Sequence, residues 1–212
     1  PHPRGSPSSC SRHGRPSRSA ESSPGRTPVA TVDVVLTHAR EAGPRCGNVT
    51  VIAIDGPAGS GKTTLAGRIA LACEAQLLHM DDLYPGWGGL REAGTVVSRI
   101  LTDLAAGNAA AYRRYDWVAQ GYRETRVLQP RGILVIEGVG SVRTEYLDRL
   151  SSVVLVHEPD PQERLRRGLE RDGAEAEPHW RTWMREEAEL HREVDLPRRA
   201  DIRINGRGEV VS

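Results

Sequence analysis

The stretch "VTVIAIDGPAGSGKTTLAGRIALAC" (49–73) narrows the possible folds more than any other part of the chain. It opens with an apolar, β-branched run, as a buried strand requires, and closes with Leu65, Ile69 and Cys73 at helical spacing. Between the two, Gly56, Gly61, Lys62 and Thr63 satisfy G-x-x-x-x-G-K-[ST] in the strand–loop–helix context that this motif needs. Glycines let backbone N–H groups turn inward on phosphate oxygens, and the helix N-terminus adds its partial positive charge. Gly56, Pro57, Ala58, Gly59, Ser60, Gly61, Lys62, Thr63 and Thr64 are therefore expected to cradle the phosphates of ATP. Lys62 suits the β- and γ-phosphates and the Thr63 hydroxyl suits Mg²⁺. Lys62 is also the only lysine among 29 basic residues, standing at the one position where the motif calls for it.

The remaining pattern extends that unit into a layered α/β domain. "VATVDVVLTHAREA" (29–42) reads as a helix with Val32, Val35, Leu36 and Ala39 on one face. "AQLLHM", "GILVIEG" (132–138), "SVVLVHE" (152–158) and "ADIRIN" read as further strands. "GTVVSRILTDLAAG" reads as a helix ending near Gly107, and "PQERLRRGLERD" and "HWRTWMREEAELHR" as two more. Strands alternating with helices predict a parallel sheet covered on both faces. A chain of 212 residues supports one such domain, expected over 29–212.

Residues 1–28 hold eight Ser, six Pro and five Arg with Glu21 the only acid, a composition that cannot bury a core and predicts a disordered extension. Basic and acidic residues nearly cancel, 29 against 28, so no global field points to a nucleic-acid partner. No apolar stretch approaches the roughly 20 residues that span a bilayer. Cys10, Cys46 and Cys73 make neither a disulfide framework nor a zinc pattern. A cytoplasmic protein without membrane or nucleic-acid partners is expected. His79, His157, His179 and His191 show no metal spacing, and Trp180, Trp183 and Met184 are read as core.

Two acidic strand ends carry the chemistry beyond phosphate binding. Glu137 closes "GILVIE" and is expected to hold the metal with Thr63. "HMDDLY" puts Asp81 and Asp82 where a parallel strand would end beside the phosphate loop. A carboxylate there can accept the proton of an attacking hydroxyl and sit near Mg²⁺. Adjacent extended residues point opposite ways, so one aspartate should face the phosphates while the other supports the acceptor side or caps a turn.

"IAIDGPAGSGKTTLA", "HMDDLY", "YDW…R", "LVIEGV", "RLRRGLERD" and "ADIRINGRG" occur in an order that resembles the uridine kinase-like P-loop kinases, over about residues 49–208. The resemblance implies ATP- and Mg²⁺-dependent phosphorylation of a nucleoside or similar alcohol, and about five parallel strands in the order 2-3-1-4-5. It implies Asp81 as general base and second metal-side acid, with Tyr84 lining the acceptor pocket beside Asp82. It casts "RRYDWVAQGYRETRVLQP" as a substrate-side hairpin carrying Tyr115, Asp116, Trp117 and Arg123. It makes 160–193 a helical lid with Arg164 on ATP and Arg167 at the transferring phosphoryl, and lets Gly206 pass the adenine. The segment after "DDLY" is short and offers only Glu92, so the acceptor's identity stays open.

Two other functions fit the same residues. A nucleotide or cofactor-precursor kinase would need a cationic acceptor pocket, for which Arg91, Arg113, Arg114 and Arg123 are available. A nucleotide-dependent switch would bind without transfer, although the chain has no N-K-x-D sequence for guanine.

Overall fold

A computed structural model describes residues 29–158 and 160–211. The expected extension over 1–28, with Cys10, lies outside the described residues. In chain order the elements are α1 (Val29–Ala42), β1 (Val49–Asp55), α2 (Lys62–Cys73), β2 (Gln76–His79), α3 (Leu90–Ala105), β3 (Ala110–Asp116), β4 (Gly121–Leu128), β5 (Gly132–Glu137) and β6 (Ser152–His157). They continue with α4 (Pro161–Asp172), α5 (Glu177–Val194), α6 (Leu196–Arg199), β7 (Ile202–Asn205) and β8 (Val210–Val211).

One sheet has the order β2-β5-β1-β6-β7-β8. Its first five strands are parallel and β8 is an antiparallel edge. β3 and β4 form a separate antiparallel hairpin, so the parallel strands counted along the chain run 2-3-1-4-5, as expected. The register pairs both Ile54 and His79 with Glu137, which brings the ends of β1, β2 and β5 level at one edge.

Alternation along the strands explains why their sequences are apolar throughout. Val49, Val51 and Ala53 of β1 face one core with Leu134 and Ile136, against α3 and part of α5. Ile52 and Ile54 face the other with Val135, Val154 and Val156, against α1 and α2. Each Ile or Val so buried contributes about 1.5–3 kcal/mol relative to exposure. The α1 residues picked out by periodicity, Val32, Val35, Leu36 and Ala39, are all buried in the second core.

α3 begins at Leu90, four residues before the "GTVV" where the sequence reading starts it. Leu90 and Ala93 prolong its buried face, and Gly94 is tolerated because the Arg143 guanidinium packs against it. α4 and α5 pack together over the phosphate loop, while Trp183, Leu190 and Val194 of α5 join the sheet core. Among the described residues no helix is long and apolar enough to cross a membrane.

Candidate active site

The loop after β1 is held by its own backbone chemistry. Gly56 has φ 139°, and a Cβ there would collide with the Val156 carbonyl, so only glycine lets β1 turn beside β6. Gly61, in the left-handed region, starts α2 as its N-cap. The Lys62 ammonium donates to the Pro57 carbonyl at 2.9 Å, folded back over the loop it is expected to serve. Thr64 is exposed on the first turn of α2.

Two carboxylates that the motif does not specify brace this loop. Asp55, fully buried at the end of β1, accepts from Gly56 N at 2.6 Å, Gly140 N at 3.1 Å and Val142 N at 2.9 Å, and meets His191 Nε2 at 3.0 Å. Burial alone would raise the Asp55 carboxyl, but the His191 contact and the backbone N–H groups outweigh it and hold it below the usual carboxylate value. Glu187 of α5 accepts from Ala58 N at 2.8 Å and from Arg164 Nη1 at 2.6 Å. Arg164 also reaches the Ala58 carbonyl, and Arg167 the Gly59 carbonyl at 3.1 Å. Arg167 is further engaged by Glu163 and Glu158. Sequence reasoning missed Asp55, Glu187 and His191, because nothing local marks a carboxylate whose partners lie on remote elements.

Thr63 and Glu137 meet as expected. The Thr63 hydroxyl donates to the Glu137 carboxylate at 3.2 and 3.3 Å. A hydroxyl and a carboxylate side by side at the head of α2 fit a hard cation bound partly through phosphate oxygens. His79 Nδ1 lies 2.6 Å from Glu137 Oε1, and that hydrogen bond outweighs burial and raises the imidazole pKa. His79, read from sequence as ordinary, thus borders the metal-side carboxylate.

Beside these groups opens a cavity of about 390 Å³. Ala58, Gly59, Lys62, Thr63 and Glu137 line one end, and Tyr84, Trp87, Trp117, Trp180 and Trp183 wall much of the rest. Asp81, Arg171 and Asp172 complete its charged lining. Every tryptophan of the chain borders this one space. Trp180 and Trp183 are buried as well, so they serve both as core and as cavity wall.

The two aspartates part company here. Both sit in a 3-10 turn, Met80–Asp82, instead of the extended backbone expected. Asp81 lines the cavity, densely surrounded by protein yet in contact with solvent. Burial foremost, then the neighbouring Glu137 carboxylate, push its pKa up, while Arg171, Lys62 and His79 oppose the rise. Asp82 does not line the cavity; Arg114 Nε of the hairpin donates to it at 2.9 Å. That pair ties the turn to β3.

The hairpin divides in the same way. Trp117 lines the cavity, and its Nε1–H donates to the Asp81 carbonyl at 2.9 Å. Tyr115 packs edge-on against Trp117 and Tyr122 and is not a lining residue. Asp116 caps the hairpin turn, accepting from Val118 N and Ala119 N, and Arg123 is exposed. Tyr84 is buried, donates to the Val139 carbonyl at 2.7 Å and meets Trp183 edge-to-face. Burial puts its phenol well above the usual value, so it stays protonated and acts as a wall and a donor. Gly206 lies against Glu158, outside the cavity lining.

A uridine kinase from Staphylococcus haemolyticus is 27% identical over 146 residues, covering 60% of this chain and 70% of the relative. The chain is thus similar to a uridine kinase over part of its length. No family model matches the sequence. Two solved structures share the fold. A possible uridine kinase from Bacillus stearothermophilus superposes with a TM-score of 0.53 at 21% identity, over 82% of this chain and 97% of that one. A candidate fructose transport system kinase from Silicibacter sp. TM1040 superposes with a TM-score of 0.54 at 15% identity, over 77% and 94%. The P-loop kinase fold accounts for the placement of phosphate loop, Glu137 and Asp81 on a single sheet edge, where open α/β sheets bind ligands.

Proposed function

We propose that the protein transfers the γ-phosphoryl group of ATP to a hydroxyl of a small, uncharged acceptor, a nucleoside or similar alcohol. The observation that carries this reading is the Asp81 carboxylate on the wall of the same cavity as Lys62, Thr63 and Glu137. The phosphate loop would hold ATP through its N–H groups and Lys62. Mg²⁺, held by Thr63 and Glu137, would neutralise charge on the transferred group.

Asp81 accepts the proton of the acceptor hydroxyl as its oxygen bonds to the γ-phosphorus and the bond to the ADP oxygen breaks. Burial and the Glu137 carboxylate raise its pKa, which makes Asp81 a stronger base than an ordinary carboxylate, while Arg171 and Lys62 oppose the rise. The helices over the loop act as the lid, and the aromatic walls keep water from competing with the acceptor. In this reading Arg164 and Arg167 brace the loop backbone, and Arg171 is the lid cation that lines the cavity.

An uncharged acceptor is favoured by where the other arginines go. Arg91, Arg113, Arg114 and Arg123, which an anionic acceptor would need, are all absent from the cavity lining. Arg91 pairs with Glu193, Arg114 with Asp82 and Glu124, and Arg113 lies over Tyr122. Three carboxylates, Asp81, Glu137 and Asp172, stand in the lining against Lys62 and Arg171, which disfavours a second phosphorylated ligand. Tyr84, Trp87 and Trp117 offer apolar faces for the body of the acceptor.

The test is ADP release from Mg·ATP against nucleosides, nucleoside monophosphates and sugar or vitamin alcohols, with Lys62→Ala and Asp81→Asn alongside. Release stimulated by a neutral alcohol, lost in Asp81→Asn while ADP binding persists, is the expected result. Stimulation by monophosphates alone would move the assignment to a nucleotide kinase. Tight nucleotide binding with no stimulation by any acceptor would support the switch.

A further inference from the structure

α4 carries three arginines at i, i+3 and i+7, but the fold gives them different work. Arg164 and Arg167 are spent on the carbonyls of Ala58 and Gly59 and on Glu187, Glu163 and Glu158. Arg171, one turn further on, lines the cavity with Asp81 and Lys62. It interacts electrostatically with Asp81.

A free arginine at a cavity rim samples many rotamers, and this one does not stand free. Its Nε and Nη2 donate to Asp172 Oδ1 and Oδ2 at 2.7 and 2.9 Å, a two-point fork. The Asp172 carboxylate is itself fixed by the Trp180 Nε1–H at 2.9 Å. The guanidinium carbon lies 5.7 Å from the Trp180 ring centroid, which adds an aromatic face beneath the cation. Fork, carboxylate and ring leave Nη1 without a hydrogen-bond partner among the described residues. We infer that Asp172 and Trp180 are positioning residues that hold the Arg171 guanidinium ready for the phosphoryl group in transfer.

The inference rests on the kinase reading. It adds that the aim of the lid cation is set by a carboxylate adjacent to it in sequence and by a ring that also walls the acceptor space. Asp172 moves no proton and touches no reacting atom; its effect passes through Arg171. Arg171→Lys would not substitute, because an ammonium has no two-point fork to match the carboxylate.

Because all four tryptophans border the cavity, their fluorescence reports binding there without any turnover. The measurement is a titration with Mg·ADP alone and with Mg·ADP plus fluoroaluminate, a mimic of the transferring phosphoryl group. Wild-type protein should bind the second mixture more tightly than the first. Asp172→Asn should lose on the order of 100-fold of that gain, the scale on which misplacement of a catalytic group is felt, while its affinity for Mg·ADP stays that of the wild type. Trp180→Phe, which keeps an aromatic ring but loses the N–H and the second ring, should lose less, and Arg171→Lys as much as Asp172→Asn. In turnover, Asp172→Asn should lower kcat while KM for ATP holds. Wild-type protein that binds Mg·ADP with no gain from fluoroaluminate would overturn the kinase reading and this inference with it. A wild-type gain that both Asp172→Asn and Trp180→Phe retain would overturn the inference alone.

Discussion

Ala58, Gly59, Lys62 and Thr63, all from one short loop and helix start, line the cavity from the phosphate loop, whereas the rest of its wall draws Asp81 and Tyr84 from a turn and its flank, Trp87 from a loop, Trp117 from a hairpin and Trp180 and Trp183 from α5. The first end is a local object. Backbone N–H groups and one lysine do the binding, so glycines at fixed offsets suffice to specify it. The second end exists only when four segments converge, and the hairpin's hydrogen bonds run to the turn carrying Asp81. Trp117 donates to the Asp81 carbonyl, Tyr122 to the Leu83 carbonyl and Arg114 to the Asp82 carboxylate. Under the proposed kinase reading, donor recognition is thus written in one motif, and acceptor recognition in tertiary contacts.

The two ends should separate under mutation, and Asp81→Asn should separate them furthest. Transfer should fall by about 10²–10⁴-fold, the usual loss for a general base, with Mg·ADP affinity unchanged by fluorescence titration. An equal loss of ADP affinity would break the division. In the wild type, Asp81 must be ionised to act, and its pKa is raised. The acid limb of kcat should therefore lie above the ordinary aspartate value of about 3.9, with activity rising as pH rises through it.

Asp55→Ala tests the brace that serves both ends. It removes the partner of His191 and the acceptor for Gly56, Gly140 and Val142, and should cost about 3–5 kcal/mol in denaturant unfolding, as for one half of a buried pair. The folded-state pKa of Asp55 is depressed, so its contribution is complete above the unfolded carboxylate value and is lost as pH falls through the lower folded one. Wild-type stability should accordingly decline on acidification below the ordinary carboxylate range, and Asp55→Ala should decline less.

Smaller effects should fall on the acceptor end alone. Trp117→Ala removes a cavity wall and the N–H on the Asp81 carbonyl, and acceptor KM should rise about fivefold, equivalent to about 1 kcal/mol of aromatic contact, with KM for ATP unchanged. Arg114→Ala should do the same more weakly, because its pairs with Asp82 and Glu124 are half exposed and screened. An Arg114→Ala effect larger than that of Trp117→Ala would mean that the hairpin is held chiefly by charge.

The sequence alone determined the strand–loop–helix at 49–73 and the meeting of Thr63 with Glu137, while the strand order 2-3-1-4-5 and the choice of Asp81 over Asp82 as the acid facing the cavity came from the resemblance carried by the order of its motifs. Each depends on short-range backbone geometry, on two-residue and 3.6-residue periodicity, or on the order of motifs, and all of these survive in one dimension. The tertiary structure alone decided that Asp82 braces the hairpin, that Arg171 and not Arg167 lines the cavity, and that the four tryptophans share one space. It also decided that Asp55, Glu187 and His191 bind the phosphate loop to α5. A side chain's partner across more than a hundred residues depends on how helices pack over a sheet edge, and no local pattern encodes that distance.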